Sequence, residues 1–274
     1  MRTVTDHPAT ETLPGDDFEA GLDARRSIRV PFFEIGPKNM LRRPELHKLL
    51  AVAQSHSQQY GVSLIATLPV TEIEPASLLF PDIQLFAQHM DPDMPGPSVG
   101  RVIAEALADA GANGVMLNHA DHQMPLDQVA AAVDRAKANG LLTLACAADE
   151  REAASIAALS PDILLYEPRA MIGHSGGARR PWIPRINALV RPIAPHTHIM
   201  HAGGVATPED ARNVIKAGAM GTGATSAIVN ARDHSGIIEG FLSAVREAWD
   251  DTPNLRVNGA VADGNPVNPL EHEP

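Results

Sequence analysis

Ile163-Leu164-Leu165-Tyr166-Glu167-Pro168-Arg169-Ala170-Met171-Ile172-Gly173 is the stretch around which the chain is organised. An apolar run of strand length ends on a carboxylate. A proline follows at once, and the glycine-rich segment Gly173-His174-Ser175-Gly176-Gly177 leads to Arg179-Arg180. This pattern predicts a buried strand that delivers one acid to its C-terminal end, beside a loop able to move. Proline fixes the exit direction, and the glycines leave the loop's dihedrals soft. An acid placed so and covered by a closing lid can have its pKa raised and act as a proton-transfer base. On these residues alone, Glu167 can equally cap the next element or pair with an arginine.

The same strand-then-helix unit recurs on both sides. Short apolar runs at 28–35, 63–68, 84–87, 114–117 and 141–146 precede the strand at 163–166, and runs at 198–201 and 220–224 follow it. Helical spacing of apolar residues fills the intervals at 44–58, 74–79, 101–110, 125–139, 150–159 and 184–193. Thr207-Pro208-Glu209-Asp210 opens the next helix, with Thr207 as cap, Pro208 at the first helical position and Asp210 completing a capping box. Thr225-Ser226 begins a short helical turn, and 235–249 is the last long helix. The strands are apolar throughout rather than alternating, as a parallel sheet buried on both faces requires. Eight such units predict an α/β protein with a closed (β/α)8 barrel. An open doubly wound sheet is the competing architecture, but its Gly-x-Gly-x-x-Gly fingerprint is missing from the first strand-helix turn.

The 274-residue length suits one barrel of about 250 residues with tails. The expected organisation is a flexible N-terminal arm at 1–26, the barrel at 27–251 and a loose tail at 252–274. Net charge is −11, and no Lys/Arg run exceeds two residues, which argues against nucleic acid or an anionic membrane surface as partner. A small anionic substrate remains compatible, because backbone N–H groups at helix starts bind phosphate without net positive charge. The single cysteine, Cys146, fits a reducing compartment. The N-terminal segment has no apolar core of a secretory signal, and no run of about 18 apolar residues occurs. The expected location is the cytoplasm.

In a barrel of this kind chemistry gathers at the C-terminal ends of the strands. Those positions are Lys38, Gln88-His89, His119, Asp121, Glu167, Gly203-Gly204 and Thr225-Ser226. One cation, one imidazole and one carboxylate thus sit after three different strands. Such a set suits removal of a proton beside a carbonyl. The carboxylate takes the proton, the imidazole polarises the oxygen and the lysine stabilises the enediolate charge. Glycine-rich loops after strands six to eight are where barrels commonly hold phosphate.

Three motifs, Phe86-Ala87-Gln88-His89-Met90-Asp91-Pro92, Leu117-Asn118-His119 and Tyr166-Glu167-Pro168 with Ile172-Gly173, closely resemble the triosephosphate isomerase family in its shorter, archaeal-type form. The likeness runs from about Phe33 to Ala231. It implies Lys38 as electrostatic lysine, His119 as neutral electrophile and Glu167 as base, with the lid running from Pro168 to about Arg180. It also implies that Gly173, Gly204, Thr225 and Ser226 offer backbone N–H groups to the substrate phosphate. Asp121 stands where the family has the glutamate that orients the lysine, one methylene shorter. There are three departures: Gly36 replaces an asparagine, Ala120 replaces a serine, and the lid reads Gly-His-Ser-Gly-Gly instead of carrying Gly-Thr-Gly; the first and the last fall at the pocket.

The expected activity is therefore aldose–ketose isomerisation of a small sugar phosphate, triose phosphate first and a four- or five-carbon relative second. The partner implied is that phosphorylated sugar, within a homodimer or homotetramer whose contact includes the proline-rich loop 89–100. No organic cofactor is called for. His89, Asp91, His119, Asp121, His122 and His201 raise the possibility of a metal site, but their spacing matches no recognised zinc pattern, so none is assigned. A Schiff-base aldolase using Lys38 is disfavoured by Asp121 as its presumed partner. Gly36 and Ala120 motivate the alternative from another class, an inactive barrel that binds a sugar phosphate.

Overall fold

In the computed structural model, the described residues are 27–171, 177 and 179–252. Eight strands, β1 (Phe32–Ile35), β2 (Ser63–Leu68), β3 (Gln84–Ala87), β4 (Gly114–Leu117), β5 (Leu142–Ala147), β6 (Ile163–Tyr166), β7 (His198–His201) and β8 (Gly221–Ala224), close into one barrel in sequence order. Every pairing is parallel, and β1 meets β8 with Phe32 opposite Gly221 and Glu34 opposite Gly223. The closed order excludes the open doubly wound sheet. The expected arm at 1–26, and all of the expected tail except Thr252, lie outside the described residues.

The helices are α1 (Arg43–Tyr60), α2 (Val70–Leu79), α3 (Ala104–Asp109), α4 (Leu126–Ala138), α5 (Glu150–Ala157), α6 (Trp182–Val190), α7 (Pro208–Lys216), α8 (Ser226–Val229) and α9 (His234–Asp250). Period-two alternation sorts each strand between two cores. Phe32, Ile65, Phe86, Met116, Leu144, Ile163, Leu165 and Met200 fill the barrel interior. Phe33, Ile35, Leu64, Leu85 and Leu164 pack outward against the helices; Phe33 meets Phe241 of α9 with ring centroids 5.2 Å apart. The interior is tight enough that a Cβ on Gly221 would lie 2.3 Å from the Phe32 ring, so a larger residue there would displace it. No helix among the described residues is long and apolar enough to cross a membrane.

Three elements differ from the sequence expectation for identifiable reasons. β1 begins at Phe32 instead of residue 28, because Pro31 has no N–H to contribute to a ladder. α2 begins at Val70, four residues before the expected start, and carries Pro75 inside it. Pro75 cannot donate to the Thr71 carbonyl one turn back. The Arg43 guanidinium supplies that hydrogen bond instead at 3.1 Å while also pairing with Glu72. α3 is six residues long because Asp91 holds the preceding segment extended: Val102 N–H donates to Asp91 Oδ2 at 2.8 Å, and Asp91 N–H donates to the Val102 carbonyl at 2.8 Å. This clasp closes the proline-rich loop. The capping box at Thr207 and Asp210 forms as the sequence predicts.

His201 faces outward from β7 and is fully buried, with Nε2 2.9 Å from Asn187 Oδ1 on α6. Burial pushes its pKa down to about 3. The folded state therefore resists protonation that the unfolded chain accepts below its ordinary value. This group's stability contribution is complete above about pH 6.5 and is lost progressively as pH falls toward 3. His201→Gln keeps a donor for Asn187 but cannot titrate. Urea melts at pH 7 and pH 5 should show the variant spared a loss on the order of 2 kcal/mol that the parent suffers through this histidine. Equal acid losses in both proteins would refute the assignment.

Candidate active site

A cavity of about 600 Å³ opens at the C-terminal ends of the strands. Lys38, Gln88, His89, His119, Asp121, Glu167, Gly203, Gly204, Thr225 and Ser226 all line it. Of the sequence-predicted site residues, Gly173 lies outside the described residues.

Lys38 sits just past β1 in the left-handed region, with φ +50°, a conformation that costs a residue with a Cβ and is kept only where its surroundings enforce it. Two contacts do so. Gln88 Nε2 donates to the Lys38 carbonyl at 2.9 Å, and Lys38 Nζ donates to Asp121 Oδ2 at 2.7 Å. Gln88 continues the inward parity of β3 from Phe86, so a loop-shaping residue of one strand fixes the cation delivered by another.

His119 and Asp121 ride on the loop after β4, and Asn118 organises that loop. Its φ is +58°, which asparagine tolerates better than most residues. Its amide donates to the Cys146 carbonyl at 3.0 Å and to Glu152 on α5 at 2.8 Å, and its Oδ1 accepts from Met124 N–H at 3.0 Å. The Asp121 backbone N–H donates to His119 Nδ1 at 3.0 Å. Nδ1 is thereby an acceptor, the neutral ring carries its proton on Nε2, and Nε2–H is the donor left for the cavity. Burial, then the Lys38 cation, hold the His119 pKa below the ordinary histidine value, against the opposing pull of Asp121.

Glu167 continues the inward parity of β6 beyond Ile163 and Leu165. Its backbone N–H donates to the Ala147 carbonyl at 2.9 Å. Gly203 packs on its side chain so closely that a Cβ there would lie 3.1 Å from Glu167 Cγ. Burial raises the Glu167 pKa, Lys38 opposes this, and Asp121 adds to it. The result is a carboxylate more basic than one in water, beside a neutral imidazole donor and a fixed cation. That combination can take a proton from carbon while the developing oxyanion is held.

The far side of the mouth is tied to α7. Gly177 N–H donates to Asp210 Oδ1 at 2.9 Å, Arg180 donates to the Gly204 carbonyl at 2.8 Å, and Arg180 Nη1 lies 3.5 Å from Asp210. Burial pushes the Asp210 carboxyl up, but the Thr207 hydroxyl, the Gly177 and Ala206 N–H groups and Arg180 outweigh it and hold the pKa low.

Of the histidine-rich set, His89, His119, Asp121 and His122 line the cavity, but no group of three or more such residues among those described is placed to hold one metal ion. His89 and His122 stack at the rim with ring centroids 3.9 Å apart, whereas His201 is buried on the outer face of β7. Glu34 is the residue that reading strand ends misses. It lies within β1 yet lines the cavity, together with Thr67 and Gly223. The available signal was an acid inside the otherwise apolar run Phe32-Phe33-Glu34-Ile35, on the inward parity of Phe32.

The family model described as triosephosphate isomerase matches residues 38–241. A triosephosphate isomerase of Caldivirga maquilingensis is 32% identical over 215 residues, covering 75% of this chain and 93% of that protein. Another, of Sulfurisphaera tokodaii, is 31% identical over 196 residues, covering 71% and 85%. The crystal structure of triosephosphate isomerase from Bartonella henselae superposes with a TM-score of 0.61 at 18% identity, covering 81% of this chain and all of that one; it supports the fold.

The electrostatics make a prediction that needs no substrate. In NMR titrations His119 should titrate below the ordinary histidine value. Lys38→Met should move its midpoint upward without restoring the full value, since burial is the larger cause. An unchanged midpoint would show that the cation does not act on the ring.

Proposed function

The chain belongs to the triosephosphate isomerase family, and on that premise we propose that it interconverts D-glyceraldehyde 3-phosphate and dihydroxyacetone phosphate through an enediolate. It is an isomerase, an intramolecular oxidoreductase, acting on a phosphorylated sugar. The observation that carries the reading is the convergence of Lys38, His119 and Glu167, delivered after three separate strands, on one cavity. Glu167 removes the proton from the carbon beside the carbonyl and returns it to the neighbouring carbon. His119 donates from Nε2–H to the oxygen on which charge develops, and Lys38 stabilises that charge. Backbone N–H groups at Gly204, Thr225 and Ser226 receive the phosphate in this reading, together with Gly173; residues 172–176 and 178 of the expected lid lie outside the described residues. Asp121 holds the lysine in line.

The four- and five-carbon sugar readings and the binding-only reading are less favoured, because the relatives above carry the triosephosphate isomerase name. A pure binder also has no use for a base of raised pKa. The protein works as a homodimer or homotetramer in this reading. Met94 and Val99 support it: they are 64% and 96% exposed on the proline-rich loop, where a subunit contact would cover them. A reducing cytoplasm suits the buried free thiol of Cys146.

The test is an isomerase assay of the purified protein on triose, tetrose and pentose phosphates in the presence of chelator, with Glu167→Gln alongside. Fast triose turnover is expected. Glu167→Gln should lower kcat by about 10²–10⁴ while thermal unfolding and phosphate binding stay as in the parent. A variant with unchanged rate would remove Glu167 from the mechanism.

A further inference from the structure

Glu34 is a second carboxyl in the cavity, and the chemistry above does not use it. The residue is 6% exposed and lines the pocket from the inner side of β1. Oε1 is sealed from solvent and, like Thr67 Oγ1 on the neighbouring strand, makes no hydrogen bond of ordinary geometry among the described residues. Two glycines make the room. A Cβ on Gly36 would lie 2.6 Å from Glu34 Oε1, and a Cβ on Gly223 would lie 2.7 Å from Oε2. Any side chain at either position would displace the carboxyl. The glycines and the acid therefore form one fitted unit.

The groups acting on this carboxyl are few. Burial raises its pKa most, the Thr67 hydroxyl opposes that, the Glu167 charge adds to it, and the Lys38 cation opposes it, leaving the value at about 7. The Cys146 thiol stands across the barrel, its own pKa pushed well up by burial and then by Glu167 and Glu34, so it adds no charge. Two carboxyls in one low-dielectric cavity cannot both ionise cheaply beside a single cation. Glu167 must be ionised to act as base, so of the two carboxyls it is Glu34 that keeps a proton. The Thr67 hydroxyl can satisfy one oxygen of the protonated carboxyl, and the other, on the side that lines the cavity, is left to meet an acceptor arriving there.

We propose that Glu34 is a further substrate-contacting residue, a protonated acid whose O–H donates a hydrogen bond to an oxygen at the carbonyl-bearing end of the sugar phosphate. This rests on the isomerase reading of the pocket. Gly36 then has a purpose: it vacates the space next to the lysine for an acid supplied from two residues earlier. The contact recognises a hydroxyl or carbonyl oxygen rather than a second anion, because an anion would meet Glu167 and Glu34 together.

The experiment compares the parent with Glu34→Gln, Glu34→Ala and Gly36→Ala on D-glyceraldehyde 3-phosphate across pH, with thermal melts as a fold control. The parent's kcat/KM should fall on the alkaline side with a midpoint near 7, where Glu34 loses its proton. Glu34→Gln keeps a donor that cannot ionise, so its rate should be a few-fold lower and the alkaline fall should vanish. Glu34→Ala should lose about 10²-fold in kcat/KM, the scale of one donor to a developing oxyanion. Gly36→Ala retains the acid but pushes it aside; it should lower kcat/KM and shift the alkaline limb, and it serves if the alanine cavity unfolds the barrel. Infrared spectra supply a readout independent of turnover. A carboxylic-acid C=O band should be present at pH 6, absent in Glu34→Gln, and shifted on adding dihydroxyacetone phosphate. Superimposable pH profiles of parent and Glu34→Gln, or a band indifferent to the ligand, would overturn the proposal. A parent without triose turnover would defeat the isomerase reading alone, since the band shift still reports on Glu34.

Discussion

Closing eight parallel strands on themselves sends alternate side chains to the barrel axis, and every feature of the site depends on that alternation. In β1 it sends Phe32 and Glu34 inward while Phe33 packs against α9. In β6 it aligns Ile163, Leu165 and then Glu167. The lower inward residues are apolar and tightly packed, so they seal the floor; the last ones are polar and meet the cavity. A one-residue slip of any strand would put its polar residue among the helices and a core residue in the pocket. The sealed floor is also what makes charges in the cavity strong, because little water reaches them from below.

Charge is distributed sparingly on that floor. Among the described residues lining the cavity, Lys38 is the one lysine or arginine, set against Glu34, Asp121 and Glu167. Its backbone strain, its link to Gln88 and its link to Asp121 serve one end: a cation held still beside Asp121 and felt by Glu34 and Glu167. The cation lowers the pKa of His119 and opposes the rise in that of Glu167. Burial is the main cause of both histidine neutrality and glutamate basicity, and the same cation adjusts each, so moving Lys38 would disturb both at once.

Much of this was legible in the chain. Short apolar runs separated by helical spacing are sufficient for a parallel barrel, and strand ends are where polar residues are conspicuous, so Lys38, His119 and Glu167 stood out. What escaped was whatever depends on a distant partner. The onset of α2 was hidden because Pro75 looks like a helix start until Arg43 is seen serving the carbonyl it abandons. The shortening of α3 follows from Asp91, ten residues upstream of Arg101, holding the chain extended. Glu34 was overlooked because it lies inside a strand, and its place in the cavity depends on glycines at 36 and 223 that only the closed register brings to it.

The anchoring of Asn118 has a consequence for motion. The loop carrying His119 is fastened to the start of α5, through Glu152, and to the end of β5, through the Cys146 carbonyl. Glu152 also accepts from the Ala148 N–H, and Asp149 caps the same helix. A fluctuation that frees the imidazole must therefore break into the first turn of a neighbouring helix. The histidine loop and that helical turn form one cooperative opening unit, so slow amide exchange at 150–153 would measure how firmly the imidazole is held.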